Sequence, residues 1–112
     1  MELQKRINFL IETDEPQDWD EPVKEDSMND LKRFGNRVDQ LFGLQDWSGI
    51  GLNNEGTFRV VITRGRNLTH YIFLGQNNVQ ITMFKRIDGP RTNSMLKMTV
   101  DEAIRDFERN LP

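Results

Sequence analysis

The chain has 112 residues with no cysteine, one histidine, 15 basic and 18 acidic side chains, and a net charge of −3. That length fits one domain with one core; the absence of Cys excludes disulfides, iron–sulfur clusters and Cys-based zinc sites, and a single His argues against a protein-built transition-metal centre. No apolar run reaches the ~18 residues of a membrane span and none near the N-terminus resembles a secretory signal, so a soluble, cytoplasmic protein without cofactor is the expectation.

Leu, Ile, Val and Phe account for 31 of the 112 residues, enough apolar material to fold. The charge is unevenly spread. Residues 1–46 carry 12 acids against 6 bases, residues 47–100 carry 2 acids against 7 bases, and residues 101–112 carry 4 acids against 2 bases.

Leu3, Ile7, Leu10 and Ile11 fall on one helical face and predict a helix over residues 2–12. From Glu12 to Asp26 the periodicity stops: eight acids face only Lys24, and Pro16 and Pro22 disfavour helix in the residues before them. This stretch reads as an acidic, Pro-containing arm or linker within a single domain spanning 1–112. Ser27 followed by Asp30 resembles a capping box, and Met28, Leu31, Phe34, Val38, Leu41 and Phe42 then predict a second helix over 28–42. Gly43 stops it as a left-handed cap with Leu44 as its hydrophobic contact, and Gly35 in its interior predicts a close crossing with another element.

A Gly- and Asn-rich loop over 48–56 leads into three β-rich runs, 57–63, 68–74 and 79–87, separated by Gly65-Arg66-Asn67 and Gly75-Gln76-Asn77-Asn78. Both separators tolerate positive φ, which predicts an antiparallel meander. Residues 94–98 suggest a short fourth strand. Thr99 and Glu102 form a capping box ahead of an apolar stripe, Val100, Ala103, Ile104, Phe107 and Leu111. The fold class is therefore α+β: two N-terminal helices, a three- to four-stranded antiparallel meander, and a C-terminal helix packed on the sheet.

With loops of three and four residues, Ile62 opposes His70 and Leu74 opposes Val79, which sets Val60, Ile62, His70, Ile72, Leu74, Val79 and Ile81 on the core face. The other face then gathers Arg59, Tyr71, Phe73, Phe84 and Arg86 among threonines. Rings interleaved with arginines are what stacking on single-stranded nucleic acid requires, although a second small core formed under a helix explains the same residues.

In the acidic arm, Asp14, Glu15, Asp18, Asp20 and Glu21 surround a single large aromatic, Trp19, a combination suited to docking on a partner protein with a basic surface. The calcium-loop pattern is absent there, and Gly49-Ile50-Gly51 precedes a strand, not a helix, so it is no phosphate loop. His70 reads as a core histidine without a nucleophile to serve. With no catalytic constellation, the residues point to a small non-enzymatic binding protein, a regulator, inhibitor or immunity-type protein, with single-stranded nucleic-acid binding as the alternative.

Overall fold

The computed structural model describes residues 2–13, 22–64, 67–85 and 92–109. Two helices, α1 (Leu3–Thr13) and α2 (Glu25–Phe42), precede five strands, β1 (Ile50–Leu52), β2 (Phe58–Arg64), β3 (Asn67–Gly75), β4 (Asn78–Lys85) and β5 (Thr92–Met98), and α3 (Val100–Arg109) closes the chain. The strands form one antiparallel sheet in the order β1-β2-β3-β4-β5. The α+β fold is the one the sequence predicts, with one strand more: β1 lies inside the expected loop 48–56.

The helices cover one face of the sheet. Leu31, Phe34 and Val38 of α2 are fully buried, and the ring of Phe34 touches those of Trp47, Tyr71, Phe73 and Phe107 at centroid separations of 5.2–6.2 Å. Val100, Ala103, Ile104 and Phe107 of the α3 stripe are buried, as its spacing predicts, while Leu111 lies outside the described residues. The capping box also forms: Glu102 N donates to Thr99 Oγ1 at 3.2 Å and Thr99 N to Glu102 Oε1 at 3.1 Å. A Cβ added to Gly35 would come within 2.6 Å of Leu3 Cδ2, so this glycine is where α1 crosses α2.

The acidic arm is shorter than its sequence suggests. Glu12 and Thr13 belong to α1, while α2 starts at Glu25, so that Glu25 and Asp26 occupy a first turn where carboxylates complement the helix dipole. Ser27 is consequently inside the helix and not its cap. Fully buried, its Oγ accepts from Phe58 N at 2.9 Å and donates to Phe73 O at 2.5 Å. Phe58 and Phe73 are register partners across β2 and β3, so one hydroxyl ties the start of α2 to the end of that ladder. Gly43 has φ +88° but ψ 166°, which is not the left-handed helical cap expected, and Leu44 is 90% exposed instead of packing. Asp39 organises the exit: its carboxylate accepts from Trp47 Nε1 at 3.0 and 3.1 Å and from Gln45 N at 2.9 Å.

The largest correction concerns β3. Arg64 pairs with Asn67, a two-residue connection where three were expected, and a bulge between Phe73 and Gly75 shifts the β3–β4 register by one. Gln76 and Asn77, both at positive φ (54° and 63°), make the β3–β4 turn a two-residue type I′ hairpin. A one-residue slip exchanges the faces of a strand. Tyr71 and Phe73 therefore point into the core under α2, both fully buried, whereas His70, Ile72 and Leu74 emerge on the opposite face. Tyr71 anchors α3 as well, donating from its hydroxyl to Asp106 Oδ2 at 2.7 Å.

Candidate functional site

Among the described residues, no element covers the second face of the sheet. Its rows follow from the register: Gly51–Arg59–Ile72–Gln80–Lys97 runs across all five strands, beside Val61–His70–Thr82–Met95 on β2 to β5. An antiparallel sheet with one free face is ordinarily polar on that face. Here Val61, Leu68 and Ile72 are half-buried and Leu74 is exposed, giving an aliphatic stretch through the middle.

At one end this face sinks into a depression of about 670 Å³ with Ile72, Leu74 and Gln80 among its lining residues, together with Lys24, Thr57 and Asn53, Asn54 and Glu55 of the β1–β2 loop. The loop is fixed. Lys24 N donates to Gly56 O at 2.9 Å, and Asn53 N to Thr57 O at 2.8 Å. Arg59 Nη1 donates to Asn53 Oδ1 at 2.6 Å, and its guanidinium lies across Gly51, where an added Cβ would meet Arg59 Nε at 2.9 Å. The glycine thus lets Arg59 lie down on the sheet, which restricts its rotamers before any ligand arrives.

The charge of the face is one-sided. Its strand positions offer Arg59 and Lys97 and no acid, and Glu55 is the sole acid lining the depression. Burial first, and then the neighbouring Arg59 guanidinium, hold His70 below its ordinary value of 6.5, so at pH 7 it offers a neutral imidazole. No group of three or more His, Asp or Glu side chains among the described residues comes close enough to hold a metal ion, and no helix there is long and apolar enough to cross a membrane.

The residues singled out from sequence fall unevenly on this geometry. Asp14, Glu15, Asp18, Trp19, Asp20, Glu21 and Arg86 lie outside the described residues, as does the side chain of Phe84, whose backbone pairs with Leu68. Arg59 is exposed on the free face as expected. Tyr71 and Phe73 are not: buried against Phe34, they cannot stack on a base, and the platform built on them is a core layer. Sequence reasoning missed Ile72 and Leu74, assigned to the core, and Lys24 and Asn53, which gain meaning only when the loop folds against the sheet. The available signal was the absence of acids from the strand segments. No family model matches the chain, and no match was found among curated proteins or solved structures.

Proposed function

We propose that this is a non-enzymatic binding protein, of the regulator, inhibitor or immunity type, that docks on a protein partner. The observation that carries this reading is the free sheet face, where Val61, Leu68, Ile72 and Leu74 stand in place of polar residues beside a pre-set Arg59. Contiguous apolar surface rimmed by polar groups is characteristic of interaction sites. Aliphatic side chains supply desolvation on contact, while the fixed guanidinium and Lys97 supply orientation. The acidic segment around Trp19 belongs to the same proposal as a second contact. Eight acids against one base over residues 12–26 favour it, because such a run steers toward a basic partner and a tryptophan among them can anchor.

The test captures partners on the immobilised protein and then measures kinetics with variants. Ile72→Asp with Leu74→Ser should abolish binding while leaving cooperative unfolding intact, since both side chains are on the free face. Trp19→Ala should raise the dissociation rate, costing ~2 kcal/mol. Neutralising Asp18, Asp20 and Glu21 should slow association, with a loss that shrinks as salt rises. Full affinity in the Ile72/Leu74 variant would remove the sheet face from the proposal, and unchanged kinetics in the others would remove the arm.

A further inference from the structure

The two edges of the sheet are treated differently. At one edge, β1 has only three residues, α1 packs against it, and the backbone groups of Ile50 are already occupied: its O accepts from Arg6 Nε at 3.1 Å and its N donates to Trp47 O at 3.1 Å. Short length and covering elements are the usual means of blunting an edge. At the other edge, β5 runs for seven residues in unbroken register with β4, from Val79↔Met98 to Lys85↔Thr92. Every second residue of such a strand turns its N–H and C=O away from its neighbour. Among the described residues nothing pairs with that side.

Among the described residues, one charge is the only protective device on β5. It has no proline and no bulge, and Lys97 is its only ionisable residue. Leu96 shares the register row of the buried Ile81, on the helix-covered face, yet remains 50% exposed. A leucine half in water beside open backbone groups is what a strand-addition site looks like before it is filled.

We propose that β5 is the seam of a homodimer, in which β5 of a second copy adds antiparallel to join two five-stranded sheets into one of ten strands. Pairing about Leu96 makes the strand its own complement. Leu96 then stands opposite Leu96, with Cβ atoms ~4.5–5.5 Å apart on the helix side. Lys97 stands opposite Met95, and Met98 opposite Ser94, so no two charges of one sign face each other. Closing this edge buries Leu96 and pairs the outward backbone groups, while the free faces of both copies stay open and lie side by side. The dimer therefore does not depend on the docking function proposed above, and either can fail without the other.

The absence of native cysteine makes the test direct. Light scattering and sedimentation at ~100 µM, where a micromolar dimer is almost fully assembled, should give twice the chain mass of 13.2 kDa. Leu96→Lys places like charges across the seam and should weaken association at least about tenfold, with cooperative thermal unfolding retained. Leu96→Cys should form an interchain disulfide at least about ten times faster than Lys5→Cys on exposed α1 under the same mild oxidant, because only the former sits opposite itself, where a small local adjustment reaches disulfide geometry. A monomeric mass for the unaltered protein, undiminished association of Leu96→Lys, or equal cross-linking rates for the two cysteines would overturn the proposal.

Discussion

Replacing Ser27 by alanine tests the connection between α2 and the sheet, because local and long-range effects there have opposite signs. On helix propensity alone, alanine in place of serine stabilises by roughly 0.5 kcal/mol. Against this, the fully buried Oγ serves Phe58 N at 2.9 Å and Phe73 O at 2.5 Å. Its removal leaves the Phe58 N–H without that acceptor, at ~1–3 kcal/mol, and deprives the Phe73 carbonyl of that donor, at ~0.5–1.5 kcal/mol. The balance is a loss of roughly 2–3 kcal/mol, which for a domain of this size lowers the melting temperature by about 8–12 °C. Urea unfolding of Ser27→Ala should show the midpoint falling with an unchanged m-value. Asn29→Ala, an exposed position on the same helix, supplies the control and should be neutral or slightly stabilising. A Ser27→Ala protein as stable as the parent would mean that the hydroxyl does not carry the α2–sheet connection.

Two further predictions concern the exchanged faces of β3. Tyr71→Phe keeps the ring and deletes the bond to Asp106, so it should cost ~1.5–3 kcal/mol in chemical denaturation, whereas Tyr71→Ala should cost ~3–5 kcal/mol and approach global unfolding; a Tyr71→Ala domain of near-parental stability would refute the core assignment. His70 is held below 6.5 by burial and Arg59, so the unfolded chain binds the proton more readily than the folded one, and the stability this group contributes is complete above pH 6.5 and lost as pH falls toward its folded value. Melting temperatures of the parent and His70→Gln should therefore diverge below pH 6.5, the parent falling faster, and parallel curves would contradict that assignment.

What the sequence made legible follows from how local each signal is. The Thr99–Glu102 box and the stripe behind it occupy adjacent turns, and they fold as written. Gly35 announced a crossing because a glycine inside a helix has few other reasons to be there. The face of β3 was illegible because Leu68 to Leu74 is apolar on both parities, with Leu68, Ile72 and Leu74 on one and Tyr71 and Phe73 on the other. Alternation cannot choose between them, and the choice fell to the aromatic pair, whose larger area Phe34 covers. Asn67 looked like turn chemistry but pairs with Arg64, and the bulge beside Leu74 leaves no local trace. Ser27 was conspicuous for a reason that does not apply: its partners are 31 and 46 residues away, beyond any pattern read along the chain. The depression beside Leu74 inherits these difficulties, since its floor is visible only once the register is right.

The order β1-β2-β3-β4-β5 has a kinetic consequence. Each strand pairs with its neighbour in the chain, so every ladder closes a short loop and the meander can zip from its turns at little entropic cost. The helix α2 has no such advantage. Its partner Phe73 lies 46 residues from Ser27, and until they meet, Leu31, Phe34 and Val38 lack the sheet they pack on. From this topology, docking of α2 onto a preformed hairpin, more than assembly of the sheet, is the step expected to limit folding. The Ser27 hydroxyl would then form on the native side of that barrier, and its loss would appear mainly as faster unfolding.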